Sequence, residues 1–300
     1  MNPVGKHWQA IGLLVLANLL WASAGLISRQ IQVTPGVEIT FWRSFFTAIV
    51  LIIGIRIIKG KYVWKFIFDG PRELWFSGFC WSIMFTAFMI AMSLTTVANV
   101  LITIALGPLF TAVLGKIYKG KTVHLRTLMT ILVASSGIVV MEYPAFKEGG
   151  SLGLGFIVAL AVPIAASFNW TVLESVHDKG EVIDFLPAVF IGSILSCIYT
   201  LPFSIPFSIS INDFVWLTGL GLFQLALPCT LVMYCAKYLI AAEISLLNLL
   251  ETVFGIGLVW IFLNEIPDAN VKIGGGMVIF SLLINEVRSF IDQRKLLPNI

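Results

Sequence analysis

Charge is scarce in this chain. Charged residues are 12% of 300, about half the roughly 25% of an ordinary soluble domain. Hydrophobic residues reach 58% and the mean hydropathy is +0.96, so a water-soluble globule is excluded and a polytopic membrane protein is expected. Histidine is nearly absent: His7, His124 and His177 all fall at expected helix ends. There is no H-E-x-x-H, no G-x-S-x-G and no paired Asp motif, which removes the common hydrolytic chemistries. The glycines of Gly149–Gly155 follow no strand and lack Lys-Ser/Thr, so no ATP-type phosphate loop is present. Cys80, Cys197, Cys229 and Cys235 sit inside apolar runs without C-x-x-C spacing and read as small buried side chains. No metal, cofactor or enzymatic activity is expected. No basic patch interleaved with aromatics points to nucleic acid.

What is present is a series of apolar runs of membrane-spanning length. Ten all-α spans are expected at roughly 8–28, 36–58, 73–93, 96–117, 124–142, 152–174, 184–204, 213–236, 240–263 and 270–290. Lys6, the apolar run after it and Ala22-Ser23-Ala24 resemble a signal peptide, but Trp8 to Ile27 is long enough to span and reads as the first helix. The polar stretch Glu142–Ser151 divides the spans five and five, giving units 1–146 and 147–300. With the N-terminus inside, fifteen of the Lys and Arg residues lie on the inner side and only Arg29, Lys147 and Lys272 on the outer. The positive-inside rule therefore puts both termini in the cytoplasm, in the plasma membrane of a cell or the inner membrane of a bacterium.

One stretch occurs twice. Sliding the chain by 144 residues lays Met92–Lys121 on Ala236–Glu265 without a gap, matching Ala98, Leu106, Phe110, Leu114 and Ile117 to Ala242, Leu250, Phe254, Leu258 and Ile261. The first copy ends in Lys116, Lys119 and Lys121, the second in Asn264, Glu265 and Asp268. Five spans per half reverse the direction of the chain, so the halves should be inverted repeats. That architecture recurs in secondary transporters with a site near the midplane.

TTVANVLITIALGPLFTAVLGKIYKGK and AAEISLLNLLETVFGIGLVWIFLNE at matching places, with ANLLWASAGLISR, FWRSFF and FNWTVLESV, resemble the drug/metabolite transporter superfamily, EamA type. The resemblance covers nearly the whole chain. It implies an alternating-access carrier with its cavity between spans 1, 3, 4, 6, 8 and 9. Two places depart from the family's common pattern: Glu251 is followed by Thr252 rather than proline, and Lys121 follows span 4.

The residues point to the same helices. Asn18 (span 1), Pro108 (span 4), Pro163 (span 6), Gln224 and Pro228 (span 8), and Asn248 with Glu251 (span 9) are polar or helix-breaking near mid-span. Each proline frees the carbonyl four residues back, and in lipid such groups need another helix or water. Glu251 shares a face with Asn248 and reads either as a site for a coupling proton or a cationic substrate group, or as a structural partner of Arg43 or a polar gate that is neutral when closed. Arg43 reads either as a carboxylate binder, or as a cation snorkelling outward or pairing with Glu38. Asn99, aligned with Glu243, is a candidate gate residue or a solvated helix end. Trp21 and Trp170 are candidates for an aromatic wall, with Trp81 and Phe85 one turn apart in span 3; the competing reading is lipid-facing bulk.

The expected function is a secondary or facilitative transporter, an exporter of small amphipathic metabolites such as amino acids. The alternative is efflux of aromatic or quaternary cations, with a membrane enzyme or channel as readings of another class. The partners are a small-molecule substrate and the bilayer. No oligomeric state is implied, and a monomer is allowed.

Overall fold

The structure, a computed structural model, describes residues 3–31, 35–120, 125–149, 153–179, 183–236, 238–239 and 241–296. Lys121 and His124 lie outside these. All regular structure among the described residues is helical. Spans 1 to 3 are Pro3–Ser28, Gly36–Lys59 and Arg72–Leu94, and spans 5 to 7 are Leu125–Gly149, Leu154–Asp178 and Leu186–Ser204. Spans 9 and 10 are Ala241–Leu263 and Ala269–Leu296. Seven helices are long and apolar enough to cross a bilayer, and the shorter apolar stretches Leu125–Met141, Leu247–Leu263 and Ala269–Asn285 supply the other three. Each short stretch rises about 26 Å at ~1.5 Å per residue, close to the roughly 30 Å hydrocarbon core.

Spans 4 and 8 are not simple helices. Span 4 is Val97–Ile104 followed by Gly107–Lys119, interrupted at Ala105–Leu106. Pro108 has no N–H for the Ile104 carbonyl, so the ladder stops and Pro108 starts the second piece, where its missing donor costs nothing. Span 8 runs Ile211–Gly219, a π-helical Leu220–Ala226 and Leu227–Cys235. Pro228 leaves the Gln224 carbonyl without its usual partner, and the looser register absorbs the mismatch: the Leu227 N–H bonds back to Leu222. Pro163, in contrast, lies inside an unbroken span 6. Span 5 runs on to Gly149 through Pro144, past the expected end at 142. The short helix Val63–Phe68 between spans 2 and 3 was not expected. Its Trp64 and Phe68 are exposed and stack at 6.3 Å, as in a helix lying at a membrane interface.

Packing displays the repeat directly. Exchange each span with the one five places on. Pairs 2 with 7 and 5 with 10 map onto themselves, 1 with 9 onto 6 with 4, 3 with 6 onto 8 with 1, and 3 with 7 onto 8 with 2. All of these pairs pack together. The correspondence reaches single residues. Gly78 of span 3 sits against the Ala188 carbonyl and Ile191 of span 7, as Gly221 of span 8 sits against the Arg43 carbonyl and Phe46 of span 2. Spans 5 and 10 cross antiparallel, with Thr127 donating to Asn285 at 3.2 Å and Gly137 meeting Gly274 further along. Equivalent helices running in opposite directions are what an inverted repeat requires. The fold is thus two inverted five-helix repeats.

At the face opposite the termini, four span ends are tied by one pair. Arg29 Nε donates to Glu265 Oε2 at 3.3 Å, while its Nη1 and Nη2 donate to the Met92 and Thr95 carbonyls at the end of span 3. Glu265 Oε1 accepts the Val97 N–H that opens span 4. Each charge therefore sits at the helix end whose dipole it complements.

Two outcomes are expected. Gly274→Val should lower the melting temperature and expression in detergent, by about 1–3 kcal/mol, because a Cβ there runs into the Gly137 carbonyl. Gly276→Val, with nothing near its Cβ position, should be neutral. Arg29→Glu combined with Glu265→Arg should be no more stable than either single change, each costing about 1 kcal/mol. Glutamate cannot donate to the span 3 carbonyls and arginine cannot accept from Val97. Rescue in a thermal double-mutant cycle would reduce the contact to a simple ion pair.

Candidate functional site

The interior polar residues gather where the two repeats meet. Arg43, 2% exposed, is buried inside the helix bundle. Its Nε donates to Gln224 Oε1 at 2.9 Å and its Nη1 to the Phe85 carbonyl at 3.5 Å, while its guanidinium lies over the rings of Phe88 and Phe85 at 5.4 and 6.0 Å. Gln224, on the π turn, passes the connection on by donating Nε2 to the Trp21 carbonyl at 3.3 Å. Spans 2, 3, 8 and 1 are thereby joined through one cation. Neither snorkelling nor pairing with Glu38 describes Arg43. Glu38 is itself buried and accepts from the Ser208 N–H and hydroxyl and from the Trp42 indole.

Glu251 stands across from this cation. Its carboxylate feels the Arg43 charge, yet no hydrogen bond or ion pair among the described residues reaches it. It is enclosed by protein and still keeps accessible surface. Trp21, Trp170 and Asn248 are likewise half-buried. The Trp21 carbonyl accepts from Gln224. Trp81 and Phe85 are buried at 3% exposure each, with ring centroids 5.3 Å apart, and Trp170 meets Trp81 edge-on at 6.3 Å. These aromatics form one wall, from spans 1, 3 and 6.

Helix register brings Asn18 toward Glu251. Gly255 lies against the Ala22 carbonyl and Gly25 against Val259, so spans 1 and 9 run parallel. One turn back on each helix, Asn18 faces Glu251. Asn18 is fully buried, with Nδ2 donating to the Leu14 carbonyl at 2.9 Å. Thr252, beside Glu251, donates to the Leu101 carbonyl at 3.2 Å and so ties span 9 to span 4.

Asn99 lies apart, at the start of span 4, where its N–H bonds to Thr96 and its Nδ2 to Thr95; the Glu243 side chain aligned with it is outside the described residues. Pro108 and Pro228 mark the break in span 4 and the π turn. The sequence reading passed over Asn169, fully buried and bonded to Ser77 at 2.6 Å, and over Phe88 and the Arg29–Glu265 pair. Asn169 was visible as a polar residue among apolar ones in FNWTV. Nothing local to Phe88 marks it as a neighbour of Arg43. A surface cavity of about 430 Å³ beside Tyr62, Lys65, Asp69 and Asp184 shares no residue with the interior site.

A family model described as the EamA-like transporter family matches the chain twice, over residues 8–143 and 153–286. A solved structure described only as "Crystal structure of protein" superposes with a TM-score of 0.59 at 15% identity, spanning 92% of this chain and 96% of that one. At that identity it speaks to the fold alone. No curated protein matches the chain. The two family matches together cover most of the residues and coincide with the two five-span halves, so the chain belongs to the EamA-like transporter family.

Proposed function

We propose that this transporter is a secondary carrier, an exporter of small amphipathic metabolites such as amino acids, working by alternating access around the space between Arg43 and Glu251. The supporting observation is the pairing itself: a buried guanidinium on the first repeat and, on the second, a half-buried carboxylate that feels its charge without a hydrogen bond. A charge near mid-membrane costs about 2.5–3.5 kcal/mol on insertion scales and is tolerated where it serves a cavity or a partner. Opposite charges across a hollow suit a molecule carrying both signs, and the Trp21, Trp81 and Trp170 wall suits its apolar part. The same wall favours the second reading, efflux of aromatic or quaternary cations.

The two inverted repeats are residues 1–146 and 147–300. Lys and Arg place both termini in the cytoplasm and the protein in the plasma or bacterial inner membrane. In that orientation the Arg29–Glu265 pair is an outer gate, closed here, that ties spans 1, 3, 4 and 9. Energy comes from a substrate or proton gradient, with Glu251 the carrier of a coupling proton.

In proteoliposomes, counterflow of labelled amino acids should be saturable; no saturable exchange across a broad panel would overturn the carrier reading. Glu251→Gln should cut transport about tenfold or more, equivalent to at least ~1.4 kcal/mol, at unchanged expression, and should blunt its response to an imposed pH gradient. Full transport with an intact response would make Glu251 structural.

A further inference from the structure

The interior surface is unevenly supplied with hydrogen-bonding groups. On spans 1 and 9, which pack together, the unmet groups include acceptors. Asn18 Oδ1 has no partner, and its identity as oxygen is fixed because only Nδ2 can donate to the Leu14 carbonyl. The Glu251 carboxylate stands at the matching register on span 9, and one end of the Asn248 amide, one turn earlier on the same face as Glu251, is also buried without a partner. On spans 3 and 6, which also pack together, the Trp81 indole N–H is an unmet donor, and one end of the Asn169 amide is unmet beside the end that meets the Ser77 hydroxyl. A buried polar atom left unpaired is costly, and folded proteins keep few of them. Two of them have a sign fixed by chemistry, the Asn18 oxygen as an acceptor on span 1 and the Trp81 N–H as a donor on span 3.

We propose that the cavity reads the N–H groups of a protonated amine: Asn18 Oδ1 and Glu251 receive the ammonium with the Asn248 amide beside them, and Trp81 Nε1 donates to an acceptor at the substrate's other end. This rests on the transporter reading and decides between its two forms. A quaternary ammonium satisfies the charge of Glu251 and the tryptophan faces. It has no N–H for Asn18, whose oxygen then stays buried and unmet. A site built to hydrogen-bond a ligand rejects the analogue lacking that group far more strongly than an apolar pocket rejects a change of size. Asn18 is thus a specificity-determining residue.

The test uses the full chain in detergent and in proteoliposomes. Leucine, tyramine and putrescine are each compared with the N-trimethylated form of the same skeleton, by thermal shift for binding and by counterflow for transport. The expected result is that at least one amine binds about tenfold or more tighter than its trimethylated form. Asn18→Leu should narrow that ratio to within about threefold while the trimethylated form still binds, which also reports a folded variant. Equal or tighter binding of the trimethylated forms to the wild type overturns the proposal, as does no binding by any of the amines. An unchanged ratio in Asn18→Leu removes Asn18 from the role. Discriminating binding without counterflow leaves this proposal standing and sinks the transporter reading; counterflow that ignores N-methylation does the reverse.

Discussion

A guanidinium inside a membrane protein must be solvated by the protein, and the centre of this structure follows from that requirement. Arg43 is bound by the Gln224 amide, the Phe85 carbonyl and two ring faces. The Gln224 link crosses from one repeat to the other. It depends on span 8 being loosened into a π turn, which depends in turn on Pro228 lacking an N–H. A neutral amide and aromatic faces delocalise the charge without cancelling it. The field of the cation therefore remains available to the hollow and to Glu251 on the far side.

The two repeats share a scaffold and diverge at the middle. Their interlocking follows a two-fold exchange down to the docking of Gly78 and Gly221, because close helix approach needs small residues wherever it recurs. At the midplane the same positions carry different chemistry. Gly107-Pro108 breaks span 4, whereas Glu251-Thr252 in the aligned place leaves span 9 continuous and gives it a carboxylate and a hydroxyl that ties it to Leu101. One repeat therefore supplies a break and the buried cation, the other an unbroken helix and the acid. A symmetric pair would present the same chemistry from both sides of the space and could not hold opposite charges across it.

At the opposite end of the spans the electrostatics is of another kind. Arg29 and Glu265 are only partly buried, where an ion pair alone contributes about 0–1 kcal/mol. Their significance lies in the helix ends they also serve, since each satisfies backbone groups that no residue of opposite sign could. Such a contact is specific in geometry and modest in strength. Both properties suit something that has to form and release.

Much of this was legible in the sequence because a bilayer admits few solutions. Low charge, ten apolar runs and the repeated stretch determined the class, the span count and the inversion, since backbone groups in lipid must be satisfied within helices and an odd number of spans reverses direction. Glu251 and Arg43 stood out because a charge within an apolar run has no bland surroundings. Sequence could not say what Arg43 binds: Gln224 is 181 residues away, and the contact exists only once Pro228 has loosened span 8. Nor could it tell which proline breaks a helix, since Pro108 interrupts span 4 while Pro163 lies within an unbroken span 6. Trp81 and Trp170 read equally well as lipid-facing bulk, and only packing put them edge to edge. Composition and spacing thus determined the scaffold, because the solvent constrains each helix separately. Tertiary structure decided which polar atoms are met and which are left open, because that depends on the side chain arriving from the other repeat.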